Sequence, residues 1–117
     1  MLQCNVDQIK NITPGNNAFP IQIITLFLSD TPKSIENAKK ALEQNDFQQV
    51  YANIHKIKPS IIMVCVPDAT IQLVLSINEN TKNNTNLELI PEKLKQLELD
   101  LNGVYEFLQQ ELILLQN

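Results

Sequence analysis

Glycine is scarce in this chain, with two residues in 117, and aromatic residues make up only 5%. An all-β fold needs frequent tight turns and aromatic or β-branched strands, so the composition argues for helices. Positive charge is also in deficit: nine Lys and Arg stand against 13 Asp and Glu, a formal charge of −4. No basic stripe is dense enough to follow a phosphate backbone, so nucleic acid is not an expected partner. The two cysteines, Cys4 and Cys65, are far apart and lack both a CxxC spacing and accompanying histidines. That is neither a zinc pattern nor a disulfide framework. The first apolar run, Ile21 to Leu28, is too short to span a bilayer and has no basic flank before it. A glycine-rich phosphate loop, a second histidine, and a serine or cysteine beside a base are all missing, so a self-sufficient enzyme would lack parts. No acidic cluster suits a metal. The expectation is a reduced, soluble, cytoplasmic chain of one domain, residues 1–117, monomeric, without membrane insertion and without a cofactor of its own. At 44% hydrophobic and 19% charged residues it can bury one modest core.

What is present is helical periodicity. Val6, Ile9 and Ile12 allow a short helix before the breaker Thr13-Pro14-Gly15-Asn16. Phe19 to Ser29 is intensely apolar and rich in β-branched residues, but a solitary strand would have no partner, so it reads as helix. Asp30-Thr31-Pro32 reads as a stop followed by a start, with Thr31 as cap and Pro32 in the first turn. Ile35, Ala38 and Leu42 then form a one-sided stripe. Asn45 suits a left-handed stop, and Asp46 with Gln49 makes a capping-box pattern for the next helix. After Val66-Pro67-Asp68, the positions Ile71, Val74, Leu75 and Asn78 predict a helix over about 68–80. Residues 78–86 (NENTKNNTN) are polar and aperiodic, which predicts a surface loop. The most regular stretch is last: Ile90, Leu94, Leu97, Leu101, Val104, Leu108, Leu112 and Leu115 recur at three- and four-residue steps behind Pro91. The fold class expected is all-α, an antiparallel four-helix bundle with a short additional N-terminal helix and its core over about 18–116.

His55 is the only histidine. Its helix has an apolar stripe, Phe47, Val50, Ile54, Ile57, Ile61 and Val64, that leaves His55 outside, with Tyr51 one turn before it and Lys58 one turn after. A neutral imidazole keeps a nucleophilic nitrogen near pH 7, and a neighbouring ammonium suits a group that will carry an anion. Pro59 removes the N–H that would bond the carbonyl of His55 and costs about 3 kcal/mol inside a helix. Because the apolar stripe continues past it, the expectation is a kinked but continuous helix.

The order His55, Lys58, Pro59, Ser60, preceded by Ile24–Pro32 and Ala41–Phe47, resembles the histidine-containing phosphotransfer (HPt) domain of two-component phosphorelays. The likeness is carried by residues 19–66, and the Lys-Pro-Ser form is similar to a variant within that family. Ile24–Pro32 looks like the family's first helix and its turn, and Ala41–Phe47 like the end of its second. Two positions depart from the family's pattern. Pro59 stands where a glycine is usual, and Cys65 where a small residue is. The resemblance implies that His55 accepts a phosphoryl group from a receiver-domain aspartate, passes it to another receiver, and has Lys58 pairing with the phosphoryl oxygens. Lys56 would add supporting charge. Ser60 would either contact the phosphoryl group or bond the backbone freed by Pro59. Tyr51, Pro59 and Ile62 would form a docking patch, with Ile62 equally suited to the core. Partners would be response-regulator receiver domains or a hybrid sensor histidine kinase, with Mg²⁺ supplied by the receiver. The competing expectation is a helical interaction or scaffold module in which His55 has no task.

Overall fold

The computed structural model describes residues 6–12, 14–64 and 66–117; Thr13 and both cysteines fall outside them. A short helix α1 (Asp7–Ile12) leads through a turn to α2 (Ala18–Glu43), α3 (Phe47–Met63) and α4 (Asp68–Asn83). A single 3₁₀ turn, Leu87–Leu89, enters α5 (Ile90–Gln116). Gly15 at the first turn has φ +79°, the left-handed region that suits glycine. The connections between the long helices are short, so successive helices run antiparallel. Each packs on two neighbours in a closed ring, α2 on α3, α3 on α4, α4 on α5 and α5 back on α2. This is the expected four-helix bundle, 46 Å long and about 22 Å across, with α1 laid against α2 through buried Val6 and Ile9.

The stripe of α5 supplies one wall of the core. Ile90, Leu94, Leu97, Leu101, Val104 and Leu108 are all essentially inaccessible. Opposite them stand Ile24, Phe27, Ile35 and Ala38 of α2, Val50, Ile54, Ile57 and Ile61 of α3, and Val74 and Ile77 of α4. Both termini of the bundle are tied together. The Asn17 side-chain amide donates to the Leu115 carbonyl (3.4 Å), and Lys10 lies 4.0 Å from Glu111. Midway along, Lys39 of α2 donates to Glu98 of α5 at 3.0 Å.

Two boundaries differ from those expected. The first is Asp30-Thr31-Pro32, which neither ends nor begins a helix, because α2 is continuous across it. Thr31 and Ser34 are buried and complete a stripe with Ile24, Phe27, Ile35, Ala38 and Ala41, so packing on both sides holds the helix together where Pro32 removes one hydrogen bond. Ile24–Pro32 and the first residues of Ala41–Phe47, expected on two successive helices, therefore lie on one. The second is the polar run 78–86, where the first six residues are helix rather than loop. Asn78, Asn80 and Thr81 are buried. Two of them find partners: the Thr81 hydroxyl donates to the Ile77 carbonyl (2.8 Å), and Lys93 of α5 donates to Asn80 (2.6 Å) as well as to Ser76 (2.5 Å). The Asn78 Oδ1, by contrast, is buried without a hydrogen-bond partner among the described residues. The actual stop is Asn84 in the left-handed conformation, φ 53°.

Tyr105 packs edge-on against Phe27, ring centroids 6.0 Å apart, and burial, then the nearby Glu98 carboxylate, push its phenol well above the ordinary value of 10.0. A group that holds its proton more tightly in the folded state contributes stability fully present below its unfolded pKa and lost as pH rises above it. Stability is therefore expected to fall above about pH 10, and Tyr105→Phe to flatten that fall in denaturant titrations at pH 9 and 11. Truncating the wholly buried Leu101 to alanine is expected to cost about 3 kcal/mol, read as a lower midpoint in urea.

Candidate phosphotransfer site on α3

The start of α3 is set by its cap. The Asp46 carboxylate accepts from the Gln49 amide at 3.3 Å, and Asn45 just before it takes φ 56°, so the left-handed stop and the capping residue fall where expected. From there Val50, Ile54, Ile57 and Ile61 bury completely or nearly so, which fixes the rotation of the helix about its axis. His55 follows a buried residue by one step of about 100° and so is exposed. A ring stack is its one aromatic contact: the Tyr51 ring lies nearly parallel to the imidazole, at 15° and 5.3 Å between centroids. Tyr51 itself is half-buried and borders a shallow recess between α3 and α4 with Gln48, Thr81, Lys82 and Asn84.

The candidate residues divide between the two flanks of α3. Tyr51, Lys58 and Ile62 lie on the same side as His55 at helical spacing. Lys58 is half-buried, while Ile62 is 44% exposed and so belongs to the surface rather than to the core. Lys56 is exposed and points about 100° from His55. Ser60, five residues on, is about 140° around the helix from His55. It lines a groove against α2 with Pro59, Met63, Ile23, Leu26, Phe27 and Asp30. Ser60 and His55 are thus not brought together. Leu26 on α2 is 48% exposed and extends the apolar ground around Pro59.

Lys82 was hidden from sequence reasoning because residues 78–86 read as a loop. Only once they are helix does Lys82 come up beside Tyr51. It adds a lysine on the flank of α3 that carries Lys58, with Lys56 about 160° around the helix from Lys58, while no Asp or Glu occurs from Phe47 to Pro67. In a chain of charge −4, this face is locally cationic. Among the described residues no group of three or more His, Cys, Asp or Glu could hold a metal ion.

No protein-family model matches this chain, nor does any curated protein sequence. Solved structures do. The HPt domain of a sensor hybrid histidine kinase from Shewanella superposes with a TM-score of 0.78 over 92% of each chain at 24% identity. Histidine-containing phosphotransfer protein B from Pseudomonas aeruginosa superposes with a TM-score of 0.81 over 93% of each chain at 15% identity. The chain has the HPt fold. Within that fold α3 runs unbroken through Pro59, continuous as the apolar stripe requires. The carbonyl of His55 loses its usual partner because proline has no N–H, and at an exposed position water can take that place. Pro59→Ala restores the bond, and after allowing for the greater freedom of the unfolded chain it is expected to stabilise the protein by about 2 kcal/mol, measured as a rise in the thermal midpoint.

Proposed function

We propose that this chain is a phosphorelay intermediate: His55 receives a phosphoryl group from the aspartyl phosphate of a receiver domain and delivers it to another receiver. The observation that carries the reading is an exposed histidine on the outer face of α3, beside Lys58, in a bundle with the fold of two proteins named for histidine phosphotransfer. The neutral imidazole attacks through Nε2. A phosphorus–nitrogen bond forms, the bond from phosphorus to the aspartate oxygen breaks with its electron pair returning to the carboxylate, and the Nδ1 proton leaves to solvent. Such transfer depends mainly on positioning and charge stabilisation. Lys58, one turn from His55, pairs with the phosphoryl oxygens; Lys56 lends more distant positive charge. The Mg²⁺ and its carboxylates belong to the receiver, and the chain supplies no ATP site.

Docking is assigned to the exposed apolar ground around His55: Ile62 and Pro59 on α3, with Leu26 across the groove on α2. The lysines of this face meet the acidic pocket that a receiver needs for its metal, which favours encounter. The protein works as a cytoplasmic monomer. No helix among the described residues is long and apolar enough to cross a membrane. A scaffold role for the leucine stripe of α5 is disfavoured because that stripe is consumed by the bundle's own core.

Incubation with a phosphorylated receiver is expected to place acid-labile, alkali-stable label on the chain, and His55→Gln to abolish it. Lys58→Ala is expected to slow transfer roughly three- to tenfold, the scale of one exposed charge-assisted hydrogen bond. Label that persists in His55→Gln would overturn the assignment.

A further inference from the structure

We infer that Tyr51 is a positioning residue for transfer at His55, holding the imidazole in one orientation through the face of its ring; the inference rests on the phosphotransfer reading. Two observations meet here. The two rings are stacked at 15° and 5.3 Å, and Tyr51 is itself half-buried at the border of the recess between α3 and α4 that Gln48, Thr81 and Lys82 also line. The stack therefore joins a half-buried ring to an exposed one. An exposed histidine on a helix has about two χ1 wells and two ring orientations, about four states in all. Only some of these turn Nε2 toward a partner while keeping it within reach of Lys58.

The stack selects among these states without obstructing the chemistry. The nucleophilic lone pair of an imidazole nitrogen lies in the ring plane, whereas Tyr51 covers a π face. Attack on phosphorus within the plane stays open, and so does loss of the proton from the opposite nitrogen. Because the contact is made by the ring, the phenolic hydroxyl has no part in it. The size of the effect is bounded as well: fixing one of about four orientations cannot raise the rate by more than roughly fourfold.

Positioning differs from docking in a way a small donor can expose. Phosphoramidate phosphorylates imidazole nitrogen with release of ammonia and presents no protein surface. Tyr51→Leu is expected to react with it two- to fourfold more slowly than the parent chain, and Tyr51→Phe to react at the parent rate. With a phosphorylated receiver, Tyr51→Leu is expected to lower the rate at saturation and leave half-saturation unchanged. By NMR, the His55 ring should occupy a single rotamer in the parent and in Tyr51→Phe and average in Tyr51→Leu, with helicity checked by circular dichroism. Should Tyr51→Leu not fold, the rotamer measurement on the parent and on Tyr51→Met decides the matter. An averaging ring in the parent chain, a Leu variant as fast as the parent toward phosphoramidate, or a Phe variant as slow as Leu would overturn the inference. A phosphoramidate series that behaves as expected alongside receivers that never label the chain would instead overturn the phosphotransfer reading, leaving the orienting effect of Tyr51 in place.

Discussion

The rest of the structure depends on the rotational phase of α3. Burial of Val50, Ile54, Ile57 and Ile61, with α3 packed on α2 and α4, leaves the helix no freedom to turn about its axis. A turn of 100° would place Ile54 in water and His55 in the core. Burying one isoleucine side chain is worth about 1.5–3 kcal/mol, and four act together, so the phase is held by several times the energy of any single contact on the outer face. Everything chemical about the site follows from that phase: the exposure of His55, the seating of Tyr51 beside it, and the placement of Lys58 one turn on.

That dependence explains which parts were legible in the sequence. Where a stripe is made of large aliphatic residues, as in α5 and α3, its period is plain and the residues alone suffice to draw the helix. His55 was legible for the same reason, as the residue the α3 stripe leaves out. Where the buried stripe passes through small or polar residues, the period disappears from view. Thr31 in α2 looked like punctuation, and Asn78, Asn80 and Thr81 in α4 looked like loop. Of these, only Asn80 is met by a side chain of another helix among the described residues, Lys93 of α5; Thr81 bonds carbonyls of its own helix, and the Asn78 Oδ1 stays unpartnered. Local rules for proline and asparagine describe a chain without neighbours. Lys82 was illegible as a consequence, since a residue in a loop has no predictable side.

The face around His55 combines three requirements that compete elsewhere in proteins. It is apolar enough at Pro59, Ile62 and Leu26 to be covered, cationic through Lys58 and Lys82, and free of carboxylates along the whole of α3. A carboxylate one turn from the histidine would repel an arriving phosphoryl group and could draw Lys58 into an ion pair. Of the acidic residues, Asp30 of α2 borders the groove beside Pro59, while Glu98 is engaged by Lys39 away from this face and Asp46 stands at the helix start. There its negative charge complements the positive end of the helix dipole.

The closed ring of four helices leaves α3 with an outer face on which no helix of the described residues packs. The inward and outward halves of its seventeen residues can therefore change independently. Exposed substitutions of this kind usually alter stability by less than about 0.5 kcal/mol, so the residues that would distinguish one partner from another are free to drift while the fold stays fixed. Chains sharing 15% and 24% identity can then superpose over more than nine-tenths of their length. Among chains of this fold the exposed half of α3 is expected to vary more than the buried half that carries it.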